Sequence, residues 1–158
     1  MMVTIITGKI NSGKSCTILK HYKENQLGDG YISVKRMHYD KVHGYDLLRL
    51  SDSSTKQFVI REDDLDSTKK ISCQIGPYVF LEETLKEVES SIKEMIKNNV
   101  TPIYLDEIGQ LELYDECFDH ILTTILESNT DAIITVREDL IPKVLKKYNI
   151  KEPNIITL

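Results

Sequence analysis

Short apolar runs rich in β-branched residues alternate along this chain with segments of helical periodicity. Met2–Thr7 is the first such run; it ends at Gly8 and reads as a buried strand. From Gly13 the spacing turns helical, with Cys16, Ile18, Leu19 and Tyr22 on or near one face. A polar Glu24-Asn25-Gln26 exit precedes Gly28 and Gly30. Tyr31–Met37, Tyr45–Leu50 and Gln57–Ile60 are strand-like. The polar connection His38–Gly44 and the turn Asp52-Ser53-Ser54 separate them, so the middle of the chain predicts a β-meander. Arg61–Lys70 is charged, has no periodicity and reads as a solvated loop.

Past Ile71–Ile75 and the Gly76-Pro77 punctuation, Leu81, Leu85, Val88, Ile92, Met95 and Ile96 recur at helical spacing. Glu82, Glu83, Lys86, Glu87 and Lys93 lie opposite, so the stripe belongs to the core, and Asn98-Asn99 ends the helix. Thr101–Leu105 is another buried strand, broken by Asp106-Glu107-Ile108-Gly109. Phe118, Ile121, Leu122, Ile125 and Leu126 mark an amphipathic helix. Ala132–Val136 is the next strand, Leu140–Tyr148 a helix with Pro142 in its first turn, and Asn154–Leu158 an edge strand. This alternation predicts an α/β fold: a mainly parallel sheet with helices on both faces and the meander as an insertion. At 158 residues, with no repeat, low-complexity tract or linker, the expectation is a single domain over 1–158.

Composition narrows the function classes. Hydrophobic residues at 41% and charged residues at 28% exclude a disordered or fibrous chain. The net charge of −5 argues against a nucleic-acid binder working by bulk electrostatics. No uncharged apolar run approaches the ~18 residues of a membrane span. The N-terminus has no basic region ahead of its apolar run, so neither a signal peptide nor a membrane partner is expected. Cys16, Cys73 and Cys117 are odd in number and dispersed without a C-x-x-C pair, which fits reduced thiols in the cytoplasm.

Chemistry enters at Gly8-Lys9-Ile10-Asn11-Ser12-Gly13-Lys14-Ser15, which satisfies G-x-x-x-x-G-K-[ST]. Holding a triphosphate explains these residue types. Glycines let backbone N–H groups approach phosphate oxygens, and the helix that follows presents its positive end to the same anion. Lys14 reaches the β- and γ-phosphates and the Ser15 hydroxyl ligates Mg2+. Lys9, Ile10, Asn11 and Ser12 complete the loop. Such a site also needs an acid at the end of a neighbouring strand. Ile103-Tyr104-Leu105-Asp106-Glu107 supplies one, with Asp106 on the metal side and Glu107 as the carboxylate that polarises the attacking water. Asp106 to Gly109 also reads D-x-x-G, like the γ-phosphate sensor of signalling GTPases, but no N-K-x-D motif accompanies it, so guanine specificity has no support.

Lesser candidates remain open. Arg137 follows a strand end where ligand-binding loops gather and could stabilise phosphate charge, or pair with Glu138 or Asp139. Tyr39, Tyr45, Tyr78 and Tyr104 are candidates for base stacking. Lys35-Arg36 meets a phosphate or is a solvated strand end, and the four histidines read as surface or partly buried residues.

Taken together, four segments resemble the small nucleoside-triphosphatase family that includes the cancer-related nucleoside-triphosphatase. They are Thr7-Gly8 through Ser15; Gly30-Tyr31-Ile32-Ser33 with Gly44-Tyr45-Asp46-Leu47; Gly76-Pro77-Tyr78-Val79; and Asp106-Glu107-Ile108-Gly109-Gln110-Leu111-Glu112-Leu113. The resemblance implies a three-layer, RecA-like P-loop fold and slow, Mg2+-dependent hydrolysis of ATP, GTP and other nucleoside triphosphates. It departs at Gln110, where a lysine is usual, and at His43, near where an arginine often stands. Two other classes compete: a small P-loop kinase, which needs an acceptor pocket and usually lid arginines, for which the sequence has no arginine cluster, and a nucleotide-dependent binding module, whose meander and Arg61–Lys70 loop would meet a protein partner.

Overall fold

The computed structural model describes all 158 residues. Its strands are β1 (Val3–Gly8), β2 (Asp29–His38), β3 (Lys41–Arg49), β4 (Thr55–Arg61), β5 (Ile71–Ile75), β6 (Tyr78–Leu81), β7 (Ile103–Ile108), β8 (Ala132–Arg137) and β9 (Asn154–Thr157). The helices are α1 (Lys14–Asn25), α2 (Glu82–Lys97), α3 (Gln110–Leu113), α4 (Asp119–Glu127) and α5 (Ile141–Lys147).

All nine strands share one sheet, ordered β5-β6-β4-β3-β2-β7-β8-β1-β9. The segment β2-β7-β8-β1-β9 is parallel. From β2 outward the pairings are antiparallel. The sheet is therefore evenly mixed, not mainly parallel. The predicted meander is present as the antiparallel run β2-β3-β4, and it continues the sheet because β2 pairs with β7 on one side and β3 on the other.

Alternation along β1 explains the layers. Ile5 faces a core of 21 buried residues beneath α2, α4 and α5, including Val88, Ile92, Ile121, Ile125 and Val144. Ile6 faces the opposite side, where Ile18 of α1 packs with Ile32, Leu50, Tyr104 and Ile133. Helices thus cover both faces, with α1 alone on one. The α2 stripe is core, as its periodicity predicts. Cys16 is the exception on α1: it is exposed, because Ile18 already fills the sheet-facing position. No helix is long and apolar enough to cross a membrane.

Three elements depart from the sequence expectation. The β2–β3 connection is only Tyr39-Asp40, because β3 begins at Lys41. Tyr78–Leu81 forms β6, hairpinned to β5 through Gly76-Pro77, before the chain enters α2. A single turn, α3, follows Gly109.

Gly30 shows how tightly β2 and β7 approach. Its φ is +150°, and a Cβ there would sit 2.1 Å from the Tyr104 carbonyl oxygen. Only glycine lets the strands close at this point. That closure brings Ser33, midway along β2, onto the acidic end of β7.

Candidate active site

The carboxyl ends of β1, β2, β7 and β8 lie on one edge of the parallel segment, where loops of open α/β sheets gather around ligands. The loop after β1 turns through Asn11 (φ 62°) and Gly13 (φ 89°), two left-handed positions that bend it back on itself before α1 starts at Lys14. No acidic residue stands in the first turn of α1, so nothing opposes the positive end of the helix. The Lys14 ammonium folds over the loop. It donates to the Lys9 carbonyl at 2.7 Å and lies 3.4 Å from both the Gly8 carbonyl and Ser12 Oγ.

Asp106 is the hub. It is 2% exposed, and its Oδ2 accepts from Ser15 Oγ at 2.5 Å and from the Ser33 N–H at 3.0 Å. Its Oδ1 accepts from the Thr135 hydroxyl at 2.5 Å. Serine hydroxyl and carboxylate are hard oxygen donors, suited to Mg2+. Nowhere do three or more His, Cys, Asp or Glu side chains cluster to hold a metal. Two such oxygens fit the hard-oxygen coordination that Mg2+ takes beside phosphate and water.

Glu107 breaks the strand. The β7–β8 register slips between Leu105 and Ile108, and Glu107 sits at φ 65°. The bulge turns successive carboxylates apart: Asp106 goes inward and Glu107 out into the cleft, where it is exposed to water. Protein walls still crowd it. That desolvation, followed by the Asp106 charge, pushes its carboxyl up to about 7, while Lys14 pulls it back down. The Glu107 N–H donates to Thr135 Oγ1 at 2.7 Å, so one hydroxyl ties both acids.

The cleft is about 400 Å³ in volume. One end is lined by Ile10, Asn11, Lys14, Ser33, Lys35, Asp106, Thr135 and Arg137. Beyond Glu107 it continues between apolar walls that include Tyr45, Phe58, Tyr78, Phe80, Leu111 and Phe118.

Other sequence candidates separate clearly. Lys35 is a cleft residue, its ammonium held by Asn11 Oδ1 at 2.8 Å, whereas Arg36 turns away to Asp46. Arg137 reaches the rim but is clamped by both Asp139 oxygens, at 2.5 and 3.0 Å. The Gly109 N–H, the group a γ-phosphate sensor would use, is instead spent on the buried Glu112 carboxylate at 2.7 Å. Lys9, Ile10 and Gly13 are exposed along the loop. Tyr104 is fully buried and bonds His21, and Tyr39 is solvent-exposed at the hairpin turn, so of the four tyrosines only Tyr45 and Tyr78 reach the cleft. His43 bonds Asp64 outside the cleft, and Gln110 lines it. Sequence reasoning missed Thr135. Its one signal was a hydroxyl residue inside the otherwise apolar strand Ala132–Val136.

The family model described as NTPase matches residues 3–158. The chain belongs to the NTPase family. One NTPase relative is the nucleoside-triphosphatase THEP1 of Thermotoga maritima, 26% identical over 148 residues that span 94% of this chain and 81% of that protein. The protein of the same name from Thermotoga sp. strain RQ2 is 25% identical over the same shares. Two solved structures share the fold. A human cancer-related nucleoside triphosphatase matches with a TM-score of 0.70 at 17% identity, covering 100% of this chain and 89% of that one. THEP1 from the hyperthermophile Aquifex aeolicus matches with a TM-score of 0.67 at 21% identity, covering 99% and 90%. The likeness read from the four sequence segments therefore holds, and with it the α/β P-loop fold and the hydrolase class of this NTPase.

Proposed function

We propose that this NTPase hydrolyses ATP, GTP and other nucleoside triphosphates in the cleft, as a Mg2+-dependent phosphohydrolase working in the cytoplasm. The observation that carries the reading is the 2.5 Å bond between Ser15 Oγ and Asp106 Oδ2, two residues 91 positions apart in sequence. The phosphate-loop serine meets the strand-end acid, as the chemistry requires.

In this reading the backbone N–H groups of Gly8 to Ser15 cradle the phosphates, and Lys14 leaves its carbonyl partners to neutralise the β- and γ-oxygens. Ser15 and Asp106 would hold Mg2+, which would supply charge neutralisation at the β- and γ-phosphates. Glu107 accepts a hydrogen bond from the attacking water and takes its proton as the oxygen adds to the γ-phosphorus. The bond from that phosphorus to the β–γ bridging oxygen breaks, and the diphosphate leaves. Arg137 adds positive charge at the rim once its Asp139 clamp opens. Catalysis is positioning plus electrostatics, with no covalent intermediate.

Phosphate release from a panel of nucleoside triphosphates with MgCl2 tests this, comparing wild type with Lys14→Ala and Glu107→Gln. Lys14→Ala should lose binding and turnover together. Glu107→Gln should keep nucleotide binding and lose about 100-fold or more in kcat, the usual contribution of a general base. Unchanged turnover in Glu107→Gln overturns its assignment.

A further inference from the structure

The cleft is larger and more apolar than water attack requires. Its 24 lining residues include 13 hydrophobic ones, and most of these lie beyond Glu107, away from the phosphate loop. With the triphosphate held by the loop and Lys14 as proposed above, its γ end faces Asp106 and Glu107 and the nucleoside part lies on the loop side of them. The nucleotide's own base therefore does not enter the apolar end. In that reading the apolar end lies beyond Glu107, on the side from which an attacking oxygen would approach the γ-phosphorus.

We propose that this end is a second substrate pocket, and that the protein transfers the γ-phosphoryl group to the hydroxyl of an uncharged nucleoside. The inference rests on the triphosphate being held at the loop as set out above.

Three observations select the occupant. The walls are aromatic: Tyr45, Tyr78 and Phe80 present partly exposed rings, backed by the buried Phe58–Phe118 stack, whose centroids are 5.4 Å apart. Tyr45 and Tyr78 also meet at an edge. Such surfaces suit a flat heteroaromatic ring. Charge excludes a phosphorylated acceptor. The lining cations Lys14, Lys35 and Arg137 all stand at the loop end, tied to the Lys9 carbonyl, Asn11 and Asp139. The deep end carries the Glu112 carboxylate, itself 2% exposed and bonded by the Gly109 and Phe118 N–H groups, and no cation to meet a phosphate. Finally, the whole cleft, phosphate end included, is about 400 Å³, within the ~300–1,000 Å³ range of small-molecule sites.

The chemistry balances without a further reactant. The nucleoside hydroxyl oxygen bonds to the γ-phosphorus and the bond to the bridging oxygen breaks. The hydroxyl proton passes to the Glu107 carboxylate and then to solvent. The products are a nucleoside monophosphate and a nucleoside diphosphate. With the pocket empty, water takes the same position and the result is hydrolysis.

The test uses the full chain with MgCl2 and ATP as donor, and thymidine, uridine or guanosine as the added probe. Monophosphate is read by mass spectrometry and inorganic phosphate in parallel. Saturation-transfer NMR reads nucleoside binding. Two variants alter the pocket: Ile75→Trp, at a half-exposed β5 position that tolerates bulk, and Tyr45→Ala. Formation of dTMP, UMP or GMP, with a monophosphate-to-phosphate ratio at least tenfold lower in both variants, supports the proposal. Phosphate release without monophosphate, whether or not a nucleoside binds, overturns it and leaves the hydrolase reading standing. Transfer unaffected by either variant places the acceptor elsewhere and also overturns it. Absence of ATP binding would end both readings together.

Discussion

The Thr135 hydroxyl accepts the Glu107 N–H at 2.7 Å and donates to Asp106 Oδ1 at 2.5 Å, so one β8 side chain sets the direction of both acids. Thr135 is fully buried, and no water can replace it without a cavity. Thr135→Val keeps the shape and removes both bonds. Leaving a buried carboxylate oxygen and a backbone N–H unpaired costs ~1–3 kcal/mol. We expect a roughly 10–100-fold fall in kcat with little change in KM, since Lys14 and the loop are untouched. Thr135→Ser restores the hydroxyl and should recover most of the loss. A Thr135→Val enzyme with wild-type kcat would show that the bulge holds Glu107 unaided.

Glu107 carries a pH signature in metal-free protein. Its carboxyl is raised from an ordinary 4.5 to about 7 by the crowded cleft and then by Asp106. Below about 4.5 both folded and unfolded chains hold the proton and the group costs nothing. As pH rises from there to 7 the unfolded chain ionises first, so Glu107 increasingly destabilises the fold, and above 7 the penalty is constant. Water reaches the side chain and screens it, so the penalty is on the order of 1 kcal/mol. In chelator-treated samples Glu107→Gln should match wild type near pH 4.5 and melt about 2–4 °C higher at pH 8. A Tm gain that shrinks with rising pH contradicts this account.

Lys35 should contribute to substrate capture more than to chemistry. Its ammonium stands at the loop end of the cleft, 2.8 Å from Asn11 Oδ1, and has no carboxylate partner there. An ammonium–phosphate bond contributes ~1.5–3 kcal/mol. Lys35→Ala is expected to raise the KM for ATP about tenfold while kcat changes little. Because the contact is open to solvent, wild-type KM should climb with salt more steeply than that of the variant. Identical salt dependence would return Lys35 to the role of a solvated strand end.

How much of this was legible in the sequence follows from how local each feature is. The phosphate loop is a contiguous eight-residue motif between a strand and a helix, so its glycines, Lys14 and Ser15 announce themselves. The Asp106-Glu107 pair is local too, and its place after an apolar run marks the strand end. Thr135 and Ser33 reach Asp106 only through strand pairing, from 29 and 73 residues away, and no spacing rule reveals them. The β6 strand was hidden because Tyr78–Leu81 runs straight into the apolar stripe of α2, which absorbs Leu81 into its own period. Gly109 and Arg137 carry motif roles in the sequence, but no spacing shows that Glu112 and Asp139, three and two residues on, hold their donors in the fold.

Gly30 links backbone packing to the site. It pairs with Tyr104 across β2 and β7, and a Cβ would lie 2.1 Å from the Tyr104 oxygen and 2.6 Å from its nitrogen. Both are main-chain atoms in the middle of the sheet and cannot move alone. Gly30→Ala therefore combines overpacking with a side chain at φ +150°, each worth ~1–3 kcal/mol. A Tm fall of roughly 10 °C follows for a domain of this size. Gly76→Ala is the control: its φ of +53° brings comparable backbone strain, but nothing lies within 4 Å of the added methyl, so its loss should be about 1 kcal/mol. Separation of β2 from β7 also withdraws the Ser33 N–H from Asp106 Oδ2. Folded Gly30→Ala should then show a lower kcat at temperatures well below its Tm, whereas Gly76→Ala, which leaves the Ser33–Asp106 contact in place, should not. Equal melting points for the two variants would mean that the strands can part without cost.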